Sequence, residues 1–173
     1  LCNDGVEEIE CLTVVDFCRR AGIEVITVSV TGKRQIMGAH QIVFHADEVY
    51  ADMNFDEFDG IVYPGGPGTG AMGEKPGVKE LAQKFLNNGK MLAAICAAPG
   101  MISETGILKE KHATGYPGCK PEGGAIWSED AAVVDGNLVT GKGPGAAAEF
   151  AIEIIRYLAG DIKAEQIRTS TMM

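Results

Sequence analysis

The chain has 173 residues, 46% of them hydrophobic and 23% charged, with 24 acidic side chains against 15 Lys and Arg and a formal net charge of −9 at pH 7. That length and balance fit one soluble globular domain over residues 1–173, large enough to bury a sizeable core. The acid excess argues against nucleic-acid or anionic-membrane partners, and no apolar run reaches membrane-spanning length.

Leu1-Cys2-Asn3-Asp4-Gly5 reads as the end of a strand entering a turn, with the expectation that most of a first β-strand is truncated from this sequence. A helix is predicted over 7–21, with acidic residues in its first turn, Arg19-Arg20 in its last and Gly22 as its stop. The β-branched run 24–30 is a strand, and 36–44 reads as one or two short strands forming a hairpin or an edge. Residues 46–58 are acidic and loop-like. A short buried strand over 60–63 then meets the densest breaker cluster of the chain, Pro64-Gly65-Gly66-Pro67-Gly68-Thr69-Gly70.

A helix over 76–88 has Pro76 near its start and Gly89 past its end. Met91-Leu92-Ala93-Ala94-Ile95 is a continuous apolar run of strand length ending at Cys96, and a helix over 98–105 begins with Pro99 in its first turn. A short strand is expected over 112–114. Asp135-Gly136-Asn137 centres a hairpin over 132–140, and Gly143-Pro144-Gly145 precedes a helix over 146–158 and a terminal helix over 161–168. Strands alternating with helices of these lengths give an α/β class: a mostly parallel sheet with helices on both faces.

In such sheets sites form at the carboxyl ends of strands. Three segments converge there: the turn into the first helix, the loop after Tyr63 and the Cys96 elbow. They bring Glu10, the amides of Gly65 and Gly66, and the Cys96 thiol with the Ala97 amide. A thiol between a strand end and a helix N-terminus is expected to have a depressed pKa, and the glycine amides with Ala97 form an oxyanion hole. The other cysteines, Cys2, Cys11, Cys18 and Cys119, show no CxxC pair and no metal-ligand spacing, which favours reduced thiols in a cytoplasm. Cys11 and Cys18 read as small core residues on one helix face, and Cys119 as a surface thiol. No metal constellation, P-loop or dinucleotide fingerprint is visible, so neither metal nor cofactor is expected. Trp127 is most simply core or interface, and His45 and His112 solvent or structural histidines.

In order and spacing, Gly5-Val6-Glu7-Glu8-Ile9-Glu10, Arg19-Arg20-Ala21-Gly22-Ile23, Tyr63-Pro64-Gly65-Gly66, Ala93-Ala94-Ile95-Cys96-Ala97-Ala98-Pro99 and Gly143-Pro144-Gly145 resemble the ThiJ/PfpI superfamily, relatives of the class I glutamine amidotransferases. Within it the chain is similar to the branch described as deglycases and chaperones. The resemblance covers essentially the whole chain and implies a flavodoxin-like three-layer α/β/α sandwich with a nucleophile elbow at Cys96. It implies that Glu10 is the acid that hydrogen-bonds the sulfur; beside a thiolate it should be protonated, with a raised pKa. It also implies a pocket shared by Arg20, His40, Tyr116 and Pro144, with His40 standing where relatives carry an arginine. Where members often place a histidine near the cysteine this chain has Tyr116, and where the protease-like branch has one directly after the cysteine it has Ala97. No Cys–His–acid triad is assembled, so a peptidase is not expected.

The implied activity is a cofactor-independent, cysteine-dependent hydrolase or lyase acting on reactive carbonyls, of glyoxalase or deglycase type. Its partners are a small carbonyl substrate or a glycated protein. The alternative is a redox-sensing stress chaperone in which Cys96 is oxidised and nothing is turned over. The family resemblance also implies a homodimer with the first helix and the segment around His40 at the contact.

Overall fold

A computed structural model of the chain describes residues 1–120 and 123–173. The first helix, α1 (Glu8–Arg20), ends against Gly22, whose φ of +81° is the left-handed stop that its lack of a Cβ permits. Strand β1 (Val28–Ser29) leads to an antiparallel hairpin of β2 (Gln35–Met37) and β3 (Val43–His45), and β4 (Glu48–Val49) pairs parallel to β1. Then come β5 (Gly60–Tyr63), the short helix α2 (Thr69–Gly73), α3 (Val78–Asn87), β6 (Met91–Ile95) and α4 (Ala98–Ser103). Strand β7 (His112–Ala113) pairs parallel with β8 (Ile126–Trp127), and β9 (Ala132–Asp135) turns into β10 (Leu138–Gly141). Helices α5 (Ala147–Ala159) and α6 (Asp161–Ser170) close the chain.

The central sheet has the order β5–β6–β10–β9, parallel except for β9. Strand β6 is flanked on both sides and buried along its whole length, which is why its sequence carries no polar residue. Its side chains alternate between two cores, as strand geometry requires. Met91, Ala93 and Ile95 join α1, α5 and α6 residues such as Val14, Phe150 and Ile167. Leu92 and Ala94 face the other way, towards Met72, Phe85 and Ile102 of α2, α3 and α4. Helices therefore cover both faces of the sheet, giving the expected three-layer flavodoxin-like α/β/α sandwich.

Two predicted elements change and two unpredicted ones appear. The run 24–30 pairs only at Val28–Ser29, with Cys2 alongside: Cys2 N–H donates to Val28 O at 2.7 Å and Val30 N–H to Cys2 O at 2.9 Å. A strand exists only where a partner supplies its hydrogen bonds. Residues 24–27 instead line a cavity of 430 Å³ that Leu1, Phe58 and Ile61 share. The acidic stretch 46–58, expected as loop, holds β4 and two 3₁₀ turns. Helix α2 rises from the glycine cluster, and β8 was not foreseen, since two-residue pairings leave no periodic signal.

Candidate active site

Cys96 follows β6 directly and has φ of +64°, a left-handed conformation costly for a residue with a Cβ. The elbow is pinned on both sides: Cys96 N–H donates to Gly141 O at 2.9 Å, and Tyr116 N–H donates to Cys96 O at 2.8 Å. The thiol is thereby fixed at the carboxyl end of the central strand, mostly buried.

Glu10 approaches from the first turn of α1 and is completely buried. Its Oε2 accepts the Gly65 N–H at 2.8 Å, while Oε1 is enclosed with no hydrogen-bond partner of its own. Gly65 is wedged between the two reactive groups. A Cβ there would lie 2.6 Å from the Cys96 Cβ, 2.8 Å from Glu10 Oε2 and 2.9 Å from Ile95 O, so only glycine fits. Burial pushes the Glu10 carboxyl up to about 7, against the opposing pull of its contacts with Cys96 and Gly65.

The thiol departs from expectation. Burial, reinforced by the Glu10 carboxylate beside it, pushes Cys96 up to about 12, although the Ala97 and Gly66 amides pull the other way. The helix that follows has only six residues, and its N-terminus does not overcome the loss of solvent around the sulfur. A reactive thiolate here requires its proton to move onto Glu10.

The expected site residues divide. Cys96, Glu10, Gly66 and Ala97 come together. Gly65 is in place, but its amide is engaged by Glu10 and so leaves the oxyanion set. Tyr116 lies at the mouth, half exposed, with its ring 3.6 Å from where a Gly143 side chain would start, beside Pro144 at the head of its 3₁₀ turn. Arg20 is not in the pocket. Ten residues beyond Glu10 on one helix it lies about 15 Å away, exposed and paired with Asp16 at 2.6 Å.

His40 turns to the start of α1 instead of the thiol: its ring Nδ1 is 2.9 Å from Glu8 Oε2, and its backbone N–H donates to Glu8 Oε1 at 2.8 Å. Burial opposes ionisation of Glu8, but the hydrogen bonds from His40 and from backbone N–H groups hold its carboxyl below the usual range. The same contact, with the charge of Glu7, raises His40. Glu7, Glu8 and His40 are thus a three-residue group able to hold a cation, where the sequence showed no constellation. Thirty-two residues separate Glu8 from His40, so no spacing rule could find it.

His40, His45 and His112 are all exposed, and the groups that act on the Cys96 thiol are Glu10 and the Ala97 and Gly66 amides. Cys18 is a buried core thiol on the α5 side, whereas Cys11 meets the sulfur of Cys2 at 3.5 Å in a separate small core; Cys119 is exposed. Trp127 is half-buried, its Nε1 donating to Glu129 at 2.7 Å. No helix among the described residues is long and apolar enough to cross a membrane.

The model of the DJ-1/PfpI family matches residues 1–157. Over 167 residues the chain is 38% identical to protein dj-1beta of Drosophila melanogaster, spanning 94% of this chain and 89% of that one. The crystal structure of Drosophila DJ-1beta superposes with a TM-score of 0.92 at 35% identity, covering 99% of this chain and 94% of the other. A protein named as a deglycase of Pyrococcus abyssi is 32% identical over 163 residues, 91% of this chain and 96% of its own length. The glutathione-independent glyoxalase of Caenorhabditis elegans is 32% identical over 167 residues, 95% of this chain and 89% of that one. With a thiol elbow, a buried acid and a shared architecture over nearly its whole length, the chain belongs to the DJ-1/PfpI family.

Proposed function

We propose that the protein is a cofactor-independent cysteine hydrolase or lyase acting on reactive carbonyls, with methylglyoxal as the simplest substrate and glycated amino groups of proteins as the larger one. The observation that carries this reading is the strained Cys96 elbow paired with a fully buried acid and with no histidine in reach. The names of the Pyrococcus and Caenorhabditis relatives support it.

The thiol–carboxylate pair becomes reactive when the proton passes from Cys96 Sγ to Glu10 Oε1, which gives that orphaned oxygen a hydrogen to donate back. The sulfur lone pair then bonds the aldehyde carbon while the carbonyl π pair moves onto oxygen, and Glu10 returns its proton to that oxygen, leaving a hemithioacetal. The Gly66 and Ala97 amides that face the sulfur support the negative charge during the step. Glu10, now a carboxylate, takes the proton from the former aldehyde carbon and delivers it to the neighbouring ketone carbon, while the hydroxyl proton on the former aldehyde carbon passes to the ketone oxygen. This gives a thioester that water cleaves to a hydroxy acid and the free thiol. The whole sequence is redox-neutral and consumes one water per carbonyl, so it needs no reactant besides water.

Cys96→Ala and Glu10→Gln should each abolish methylglyoxal consumption by the purified protein. Activity that survives Cys96→Ala at wild-type level refutes the reading. A redox role for the same thiol is favoured by one feature, the two amides and one carboxyl around Sγ, which would hold the oxygens of a sulfinate. In that case mild peroxide oxidises Cys96 before Cys11, Cys18 or Cys119 and no carbonyl is consumed.

We further propose a homodimer, supported by exposed apolar residues on either side of the Glu8–His40 contact: Ile9 and Leu12 on α1, and Met37, Ile42 and Val43 on the hairpin. One domain over residues 1–173 is supported by α6 burying Ala164 and Ile167 in the α5 core, and a cytoplasmic setting by five unpaired thiols.

A further inference from the structure

The chemistry at Cys96 makes no use of His40 or of the two glutamates that open α1. His40 Nδ1 lies 2.9 Å from Glu8 Oε2 and 3.7 Å from Glu7 Oε1, and one ligand atom from each of the three residues falls within 4.8 Å of the other two. Ligands about 2.05 Å from a tetrahedral zinc ion stand about 3.3 Å apart, a separation that the two measured distances bracket.

The electrostatics call for a cation. Glu7 is 8% and Glu8 4% exposed, yet neither meets a Lys or Arg among the described residues, and the imidazole is their only basic partner. Adjacent carboxylates taken out of water repel each other and lose hydration unless positive charge joins them. The helix N-terminus offers about half a charge, which two carboxylates exceed.

The group is also preset. The second oxygen of Glu8 is oriented by the His40 backbone N–H at 2.8 Å. The turn before His40 folds so closely over this carboxylate that a Cβ on Gly38 would fall 2.1 Å from Glu8 Oε1. Outer contacts of this kind fix a ligating carboxylate in direction. Within a single chain the His40 side chain is 68% exposed, so the chain itself leaves one side of the site uncovered.

We propose that Glu7, Glu8 and His40 bind one zinc ion, or a divalent cation of similar preference, through one oxygen of each carboxylate and the His40 Nδ1, with water completing the shell. One imidazole and two carboxylates suit zinc, cobalt or nickel better than calcium or magnesium, which prefer oxygen alone. Binding replaces the hydrogen bond between Nδ1 and Glu8 Oε2, and any proton on Nδ1 passes to Nε2 or to solvent. The site shares no ligand with the Cys96–Glu10 pair, so it stands or falls apart from the carbonyl chemistry.

The test is titration of the purified chain with Co²⁺ alone, read by visible absorption, and with Zn²⁺, read by calorimetry. One ion per chain is expected, with cobalt d–d bands and no near-ultraviolet thiolate charge transfer. The bands should persist in a Cys96→Ala, Cys119→Ala double variant. His40→Ala and Glu7→Gln, checked for native circular dichroism, should each weaken zinc binding at least about tenfold, while His45→Ala leaves it unchanged. Binding that is equally tight in His40→Ala and Glu7→Gln, or a thiolate band that disappears with the cysteines, would overturn the assignment.

Discussion

Gly65→Ala is the sharpest perturbation available at the Cys96–Glu10 pair, because it changes space alone. Gly65 is not in the left-handed region, so alanine meets no backbone penalty, unlike at Gly66 with φ of +108°. The added methyl would lie 2.6 Å from the Cys96 Cβ, 2.8 Å from Glu10 Oε2 and 2.9 Å from the Ile95 carbonyl oxygen. Two of those three neighbours are a backbone atom and an atom bonded directly to it, so they cannot swing aside. The loop after β5 must retreat by several tenths of an ångström, taking the Gly65 N–H away from Glu10 and loosening the acid from the thiol. Overpacking of a tight core costs about 1–3 kcal/mol, and a displacement of about 1 Å at a reacting pair costs about 10²-fold in rate. Urea denaturation should therefore show a loss of about 1–3 kcal/mol, and methylglyoxal turnover should fall by roughly two orders of magnitude. If Gly65→Ala kept both wild-type stability and wild-type turnover, the wedge argument would be refuted, and with it the claim that Glu10 must touch the sulfur.

The pH dependence of stability tests Glu10 directly. Its carboxyl is raised in the fold from 4.5 to about 7, so the native state binds the proton more tightly than the unfolded chain. The stabilisation is complete below pH 4.5 and is lost as pH rises to about 7, a span worth roughly 3 kcal/mol. Glu10→Gln should remove that decline, so denaturation at pH 5 and pH 8.5 should bring the variant up relative to wild type at the higher pH; parallel behaviour at both would contradict it. The dimer is tested by Ile9→Glu with Ile42→Glu, which should convert a two-chain mass in sedimentation or light scattering to one chain. A wild-type protein that is monomeric at tens of micromolar would remove that face as an interface.

What the chain's sequence determined on its own is the part governed by local rules. The unbroken apolar run Met91–Ile95 demanded a strand covered on both faces, and the structure buries every residue of it. The acid-to-basic polarity of α1, its glycine stop and the Asp135-Gly136-Asn137 turn placed the helix and the hairpin within a residue or two. Cys96 and Glu10 were legible because the order of motifs carries them. Tertiary structure decided what depends on distance through space. Residues 24–26 have strand-forming side chains but no strand beside them, so the predicted element shrank to Val28–Ser29, with the Thr27 carbonyl accepting the Glu48 N–H just ahead of it. Gly65 was expected to offer its amide to substrate, and only the approach of Glu10 showed it already engaged. The thiol's pKa was expected to fall beside a helix and instead is raised, since desolvation depends on how deeply the sulfur is enclosed. Arg20 left the pocket and His40 joined Glu7 and Glu8 for the same reason: a side chain's partners are set by how the chain folds back on itself, which neither composition nor spacing records.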